Sequence, residues 1–326
     1  MNRKIREKAK KLNKRVILPE AYDERTLQAA KFLLKEKIAF PVLVGDPLKL
    51  RVIAEGVGVD LEGIEIINPE TYEKTEEFII EYYEIRKEKG ITLDQAKKEV
   101  LQDVFFGAML LRHSIGDLEV AGAVNTTGNV IRAGLRIIGL REGINTVSSF
   151  FIMVTDKEMY GENGAIFFAD CAVVPNPTSV QLADIAMMTA SNAGKILNID
   201  PKVALLSFST KGSAKSPEAQ KVVDACNILK ERGVTFDFDG EIQVDAAIIP
   251  AIAERKAKDS PLKGRANVLI FPDLNAGNIG YKLVQRISGA MAIGPVIQGF
   301  AKPLCDLSRG CNWEDIVDTV AVSSLL

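Results

Sequence analysis

Short apolar runs of strand length alternate with segments of helical periodicity along the whole chain. Residues 15–19 form such a run, and residues 23–35 then place Leu27, Ala30 and Leu34 on one helical face. The same criteria predict strands at residues 15–19, 40–45, 65–68, 118–124, 147–155, 165–174, 203–208 and 267–271, and helices at 23–35, 74–89, from 92, from 126 or 127, and at 179–197, 217–232, 278–288 and 313–325. Near-continuous apolar strands that alternate with amphipathic helices indicate an α/β fold with a mainly parallel sheet.

The length and charge of the chain narrow the kind of protein. A chain of 326 residues suggests about two domains, at roughly 150 residues each. Its 41 basic and 43 acidic residues give a formal net charge of -2, without the basic excess typical of nucleic-acid binders. An anionic ligand would therefore be held by a few placed cations. In an α/β protein we expect that site at the carboxyl ends of strands or in a cleft between domains.

Targeting and redox features predict a cytoplasmic protein. Residues 1–15 are polar and basic without an apolar core, so we expect no secretory signal, and no run of 18 apolar residues predicts a membrane span. The four cysteines form no C-x-x-C pair, which favours free thiols in a reducing compartment. The single histidine, His113, excludes a multi-histidine metal site, so we expect acid–base catalysis to depend mainly on carboxylates. No metal-ligand set is visible in the sequence, and we expect neither a metal nor a cofactor.

The segment at residues 306–315 concentrates chemistry-bearing residues. It supplies a hydroxyl, the guanidinium of Arg309, a glycine and a helix start that Asn312 can cap. A guanidinium beside a helix N-terminus suits phosphate, because its fork matches two oxygens at once. The alternative is a surface turn, in which Asp315 only completes a capping box with Asn312. The spacing leaves both interpretations open.

Three further segments carry weaker signals. Residues 125–132 run from a strand through small residues into a helix, which fits either an anion site or an ordinary capped loop. Residues 207–215 have the composition of a phosphate loop but do not match G-x-x-x-x-G-K-[ST], which disfavours a nucleotide triphosphatase. Residues 271–286 lack the G-x-G-x-x-G dinucleotide fingerprint, and their Arg286 is either a solvated side chain or a ligand.

Taken together, four motifs resemble the phosphate acetyltransferase (phosphotransacetylase) family, which includes butyryl-transferring members. They are P-N-P-T from residue 175, S-F-S-T-K-G-S-A from 207, F-P-D-L-N-A-G-N from 271 and D-L-S-R-G-C from 306. The resemblance runs from L-P-E-A-Y-D-E-R at residues 18–25 to the final helix, and the length fits the short form without an added regulatory domain. It implies a homodimer of chains with two three-layer α/β domains and a cleft between them, related in fold to isocitrate and isopropylmalate dehydrogenases. The expected domains are residues 1–142 with 299–326, and residues 143–298.

The resemblance also implies site residues. It identifies Ser308, Arg309 and Asp315 as catalytic, and Arg132, Arg86 and Arg286 as binding phosphate or coenzyme A; Ser207 and Thr127, from the segments above, complete the predicted binding residues. Two positions depart from the family pattern. Asn125 stands where members usually have histidine before the two threonines, and Ala133 stands where they often have proline. The first departure affects the polar surroundings of the Arg132 loop.

The activity implied is reversible acetyl transfer between coenzyme A and inorganic phosphate, with coenzyme A as a substrate. We hypothesise that Asp315 deprotonates the thiol, that Arg309 and Arg132 hold the phosphoryl oxygens, and that Ser308 donates to the oxyanion. An ordinary aspartic acid, with a pKa of about 3.9, is poorly matched to a thiol of about 8.5, a gap of roughly 6 kcal/mol. Burial of the carboxylate or cations near the thiol would have to close this gap.

Several alternatives stay open at this stage. A covalent route through Cys305 or Cys311 is disfavoured, because a catalytic cysteine needs a base and His113 is expected at a helix end. A butyryl- or propanoyl-transferring relative would share the chemistry and differ only in the acyl pocket. A decarboxylating dehydrogenase of the related fold and a non-catalytic acyl-CoA sensor are more distant alternatives. The apolar helix at residues 183–193 is the candidate dimer surface.

Overall fold

The computed structural model describes residues 2–326, which form two compact units. The terminal unit comprises residues 2–142 and 300–326, and the central unit comprises residues 143–299. Each unit has its own sheet. None of the helices within residues 2–326 is both long enough and apolar enough to cross a lipid bilayer.

The strands and helices follow the alternation predicted from the hydrophobic pattern. The strands are β1 (Arg15–Leu18), β2 (Phe40–Val44), β3 (Glu65–Ile67), β4 (Leu118–Ala121), β5 (Ser148–Val154), β6 (Ala165–Ala169), β7 (Lys202–Leu206), β8 (Asp237–Ile242), β9 (Val268–Ile270), β10 (Met291–Gln298) and β11 (Leu304–Asp306). The helices are α1 (Asn2–Lys10), α2 (Glu24–Lys35), α3 (Pro47–Gly56), α4 (Thr75–Arg86), α5 (Leu93–Val100), α6 (Asp103–Arg112), α7 (Thr127–Ala133), α8 (Ser179–Leu197), α9 (Pro217–Glu231), α10 (Val244–Ile248), α11 (Pro250–Lys256), α12 (Leu274–Ser288) and α13 (Trp313–Ser323). A 3₁₀ turn (Lys87–Lys89) extends α4, and a π turn (Gly134–Ile138) extends α7.

The terminal unit is built on a five-stranded parallel sheet in the order β11-β4-β1-β2-β3. Glu119 of β4 faces α6, where its carboxylate lies beside Gly107. Cys305 of β11, whose register partner is the next residue of β4, faces α13 and accepts a hydrogen bond from Ser323 there. Because successive strand residues point to opposite faces, α6 and α13 cover opposite faces of the sheet. The unit therefore has three layers, as the α/β prediction requires.

The central unit has a six-stranded sheet in the order β10-β5-β6-β9-β7-β8. The strands β6, β9, β7 and β8 are parallel, whereas β5 runs antiparallel to both β10 and β6. The sheet is thus mainly parallel, and β5 is its one reversed strand. The edge strand β10 was not predicted by the apolar pattern.

The proposed dimer helix at residues 183–193 is buried inside the central unit. Most of its side chains are inaccessible to solvent, and α8 packs against α9, β6, β7 and β9. The suggestion that this segment forms the dimer surface was wrong, because its apolar character belongs to the core of its own unit. An exposed apolar stripe lies instead on α12, formed by Ile279, Leu283 and Ile287.

Candidate active site

The carboxyl ends of β4 and β11 lie side by side and carry most of the predicted site. The strands pair in parallel with Asp306 opposite Ala121, so the chains leave the sheet at the same edge. The loop after β11 contains Ser308 and Arg309, and the loop after β4 leads into α7, which contains Arg132. The structure thus brings together two loops that are far apart in sequence, at the edge where parallel sheets place their ligand sites.

Two exposed guanidinium groups belong to this region, that of Arg309 in the loop after β11 and that of Arg132 in α7. The side chains of Arg309 and Arg132 are both exposed, and within residues 2–326 neither forms an ion pair or a side-chain hydrogen bond. The charge of Arg309 acts on the buried Asp306 carboxyl, whose pKa it lowers. Most other arginines of the terminal unit are paired, such as Arg112 with Glu81. Guanidinium groups without internal partners are available to the oxygens of a phosphoryl anion, to which they can bind in bidentate fashion.

Asp315 forms the capping box that its spacing predicted. Its carboxylate accepts a 2.9 Å hydrogen bond from the backbone N–H of Asn312, and its own N–H donates to the Asn312 side chain at 2.8 Å. The Asp315 side chain is exposed. The burial that the sequence argument offered as one way to match this carboxylate to a thiol is therefore not found. Cations near the thiol, which lower its pKa, are then the means by which the two groups can be matched.

The Ser308 hydroxyl is oriented by the loop in which it lies. Its oxygen accepts a hydrogen bond from the backbone N–H of Gly310 at 3.4 Å, and the side chain is exposed. No acceptor in the described part of the chain takes the hydroxyl hydrogen. Ser308 is therefore arranged as a hydrogen-bond donor toward a bound group, as an oxyanion donor must be.

The backbone amides after β4 are already occupied by an internal carboxylate. Glu20, in the loop after β1, is only 4% exposed and accepts from the N–H groups of Gly122, Ala123, Val124 and Asn125 at 2.6–3.1 Å. The sequence had suggested residues 125–132 as a possible anion site, and within that segment Glu20 binds the N–H of Asn125 only. The other three amides belong to residues 122–124, so Glu20 holds the loop just before the predicted segment.

Thr127 makes an internal contact at the start of α7. Its hydroxyl donates to the buried carboxylate of Asp306 at 2.6 Å, while Thr126 caps the helix by accepting from the N–H of Asn129. Burial raises the pKa of Asp306 to about 7. The hydroxyl hydrogen of Thr127 is thus used to join the β4 and β11 loops and does not point to a ligand.

Arg86 lies in a separate cationic cavity of the terminal unit. The cavity has a volume of about 370 Å³, and its lining includes Arg86, Lys89, Lys98 and Arg136 together with the acidic Glu99. Arg136 pairs with Glu99 at 2.7 Å, which leaves three cations in excess. The cavity suits a multiply charged anion, but its lining residues do not include Ser308, Arg309 or Asp315.

Ser207 and Arg286 belong to the central unit. The Ser207 hydroxyl oxygen accepts from the N–H of Ser209 at 3.1 Å, and Arg286 is exposed on α12. The loop that resembled a phosphate cradle is closed by Glu241, which accepts from the Ser209 hydroxyl at 2.8 Å and from the N–H of Gly212 at 2.7 Å. An internal carboxylate again satisfies donors that a phosphate would otherwise engage.

The cysteines near the site are poor nucleophiles. Cys305 is fully buried, and burial raises the pKa of Cys311 to about 11. His113 ends α6, where its Nε2 lies 2.6 Å from the Glu81 carboxylate. The covalent alternative therefore lacks both an ionised thiol and a base beside it.

Three residues of the site were not recognised from the sequence. Glu20 and Arg25 lie in the L-P-E-A-Y-D-E-R segment, and Asp306 begins D-L-S-R-G-C, yet neither motif indicated what these side chains bind. The Arg25 guanidinium donates to the backbone carbonyls of Arg309 and Ala123, one in each site loop. The available signal was the position of charged residues near strand ends: Glu20 two residues after β1, Asp306 as the last residue of β11, and Arg25 at the start of α2.

An α/β fold with unpartnered guanidinium groups, a hydroxyl and a carboxylate at adjoining strand ends defines a protein that handles phosphorylated anions. The phosphate acetyl/butaryl transferase family model matches residues 1–324, and this chain belongs to that family.

The relatives of the chain bear the same description. It is 50% identical over 319 residues to the phosphate acetyltransferase of Clostridium acetobutylicum, covering 98% of this chain and 96% of that one. The structure matches a phosphotransacetylase from Streptococcus pyogenes with a TM-score of 0.93 at 38% identity, over 99% of this chain and 98% of the other. It matches EutD phosphotransacetylase from Staphylococcus aureus with a TM-score of 0.90 at 39% identity, over 99% and 98%.

The predicted relation to dehydrogenases is confirmed at the level of the fold. A 4-hydroxythreonine-4-phosphate dehydrogenase from Burkholderia phymatum matches with a TM-score of 0.56 at 12% identity, over 96% of this chain and 98% of the other. At this identity the match concerns architecture alone.

Proposed function

We propose that this chain is a phosphate acetyltransferase, which transfers an acetyl group reversibly between coenzyme A and inorganic phosphate. The observation that carries the proposal is that two loops adjoin at the paired ends of β4 and β11. One contains Ser308 and the exposed Arg309, and the other leads into α7, which contains the exposed Arg132. The names of the relatives at 42–50% identity support acetyl transfer as the reaction.

In the direction of acetyl-CoA synthesis, the thiol sulfur of coenzyme A attacks the carbonyl carbon of acetyl phosphate. Asp315 takes the thiol proton, and Ser308 donates a hydrogen bond to the carbonyl oxygen as it becomes an oxyanion. The carbon–oxygen bond to phosphate then breaks, and Arg309 and Arg132 neutralise the departing phosphate. One oxyanion donor is typically worth about 3–4 kcal/mol of barrier, so Ser308 is a substantial contributor.

The cationic cavity around Arg86 fits the phosphate groups of coenzyme A. Three cations in excess suit an anion that carries several charges, whereas the exposed pair at Arg309 and Arg132 suits a single phosphoryl group. Arg286 and Ser207, in the central unit, remain proposed binding residues, with support from the family motifs only.

The decisive experiment follows release of free coenzyme A from acetyl-CoA with and without inorganic phosphate. We expect release that depends on phosphate. Asp315→Asn should lower kcat strongly with KM values little changed, because the amide cannot accept the thiol proton. Near-normal turnover by this variant would remove Asp315 from the base role, and phosphate-independent release by the wild type would contradict the whole proposal.

A second variant tests the phosphate assignment. Arg309→Ala should raise the KM for phosphate, or for acetyl phosphate in the reverse direction, more than the KM for coenzyme A. The guanidinium contacts only the phosphoryl oxygens in this scheme. Equal increases for both substrates would contradict the placement of phosphate at Arg309.

The proposed state is a cytoplasmic homodimer. The apolar stripe of α12 supports the dimer, because Ile279, Leu283 and Ile287 are 53–80% exposed at helical spacing while the opposite side of α12 packs on the sheet. The four cysteines, all within residues 2–326, form no disulfide, which fits a reducing compartment. Sedimentation or light scattering should give the mass of two chains, and the mass of one chain at micromolar concentration would refute the dimer.

A further inference from the structure

The guanidinium of Arg25 is fully engaged within the protein. Its Nε and one Nη2 hydrogen bind the two carboxylate oxygens of Asp23 at 2.9 and 2.8 Å. The other Nη2 hydrogen goes to the carbonyl oxygen of Ala123, and the two Nη1 hydrogens go to those of Arg309 and Cys311, at 2.8–2.9 Å. Arginine has five N–H donors, and all five are used here. Arg25 therefore has no donor left for a substrate.

These bonds fix two peptide planes of the loop after β11. A trans peptide group is planar, so its N–H points opposite to its C=O. With the Arg309 carbonyl held by Arg25, the N–H on the other side of that peptide belongs to Gly310, and it donates to the Ser308 hydroxyl at 3.4 Å. By holding the Arg309 carbonyl on one side of the peptide, Arg25 directs the Gly310 N–H to the other side, where this N–H orients the Ser308 hydroxyl.

The second plane acts in the same way on Asp315. Arg25 holds the carbonyl of Cys311, and the opposite N–H belongs to Asn312, which donates to the Asp315 carboxylate at 2.9 Å. One guanidinium therefore orients, through two peptide groups, both the proposed oxyanion donor and the proposed base.

The loop after β4 is held by the same assembly. Glu20 accepts hydrogen bonds from the backbone N–H groups of this loop, and Arg25 donates one to the carbonyl of Ala123. Both the N–H groups and a carbonyl of the loop are therefore held by residues that follow β1. Asp23 aligns Arg25 and also caps α2 by accepting from the Arg25 backbone N–H. Three loops, separated by about 100 and 190 residues, meet at one side chain.

We propose that Arg25 is a positioning residue for acetyl transfer: it sets the orientation of Ser308 and Asp315 through the backbone without touching substrate. The inference rests on the proposed function. It predicts that charge alone is insufficient at this position, because a lysine ammonium cannot span three loops with a planar fork.

The test compares Arg25→Lys with Arg112→Lys in the phosphate-dependent assay. Arg112 is a matched control, since it also binds a carboxylate (Glu81) and a backbone carbonyl (Ile137) in the terminal unit. We expect Arg25→Lys to lower kcat roughly a hundredfold, the effect of a displacement of about 1 Å, with both KM values within about threefold. Arg112→Lys should keep wild-type kcat.

Two further measurements separate positioning from general loss of structure. Millimolar guanidinium ion should raise the kcat of Arg25→Ala above its value without the ion. The kcat of Arg112→Ala should be the same with and without the ion. Combining Arg25→Lys with Ser308→Ala should cost less than the product of the single losses, because both act on one hydrogen bond. If Arg25→Lys is unfolded by Trp313 fluorescence, Asp23→Asn should lower kcat in the same way. An asparagine oxygen can still cap α2, while the charged, two-oxygen alignment of the guanidinium is lost.

The outcomes that overturn the proposal are distinct from failure of the proposed function. Wild-type kcat in Arg25→Lys, fully multiplicative losses with Ser308→Ala, or a large selective rise in the KM for phosphate would each refute positioning; the last would make Arg25 a substrate ligand. If the wild type releases no coenzyme A with phosphate, the proposed function fails instead.

Discussion

Replacing Asp306 by asparagine should remove a pH dependence from the stability of the terminal unit. Asp306 is 1% exposed; one carboxylate oxygen accepts from Thr127, and the other is buried without a hydrogen-bond partner. Burial raises the pKa of this carboxyl from 3.8 to about 7. The folded chain therefore keeps a proton that the unfolded chain releases. The contribution of this group to the free energy of unfolding is therefore fully present below pH 3.8, and it is lost as the pH rises through about 7.

The magnitude follows from the width of that window. One unit of pKa corresponds to about 1.4 kcal/mol, so the full effect is about 4 kcal/mol for a shift from 3.8 to about 7. Between pH 5 and pH 8 the folded group titrates while the unfolded group stays ionised. The wild type should lose roughly 2.5 kcal/mol of unfolding free energy over this range that Asp306→Asn does not lose.

The assay uses the single tryptophan of the chain. Trp313 lies in α13 of the terminal unit, with its ring centroid 5.1 Å from that of Phe32, so its fluorescence reports the unfolding of this unit. Urea titrations in steps from pH 5 to pH 8 compare wild type, Asp306→Asn and the exposed control Asp94→Asn, which should follow wild type within about 0.5 kcal/mol. Parallel profiles for Asp306→Asn and wild type would refute the raised pKa.

Two other substitutions test the loops around this group by the same fluorescence. Glu20→Gln should destabilise the unit by about 2–6 kcal/mol, because the new NH₂ group faces two buried N–H donors that lose their acceptor; a loss below 1 kcal/mol would show that these amides find another partner. Gly122→Ala should cost about 2–5 kcal/mol, since φ is +111° and a Cβ would lie 2.4 Å from the Asp306 carboxylate and 2.5 Å from the Leu307 nitrogen. Gly56→Ala, in a helix with open space around it, should instead stabilise by about 0.5–1 kcal/mol, and equal effects at both glycines would contradict the steric argument.

Local patterns predicted the elements whose signals are contained in a few residues. The apolar runs that became β1, β2 and β7 needed only their own composition, and the capping boxes at Thr92 and Asn312 followed from a spacing of three. A helix was predicted from residue 92 and His113 was expected at a helix end, but α6 was not predicted as a separate helix. Residues 104–111 are all buried and show no polar face from which a period could be read. The helix α12 begins at Leu274, four residues before its predicted start at residue 278. Its N-cap is Asp273, whose side chain accepts from the N–H of Ala276.

The sequence by itself determined the α/β alternation, the family motifs and the residues with suitable chemistry, because each depends on short-range order along the chain. Tertiary structure alone decided which of them meet. The three-residue strand β11 exists through its pairing with β4, and that pairing places the Arg309 loop beside the Arg132 loop. Glu20 and Arg25 acquire their roles from backbone groups about 100 and 285 residues away. A backbone N–H or C=O has no identity in the sequence, so only the folded chain reveals which charged side chain it binds.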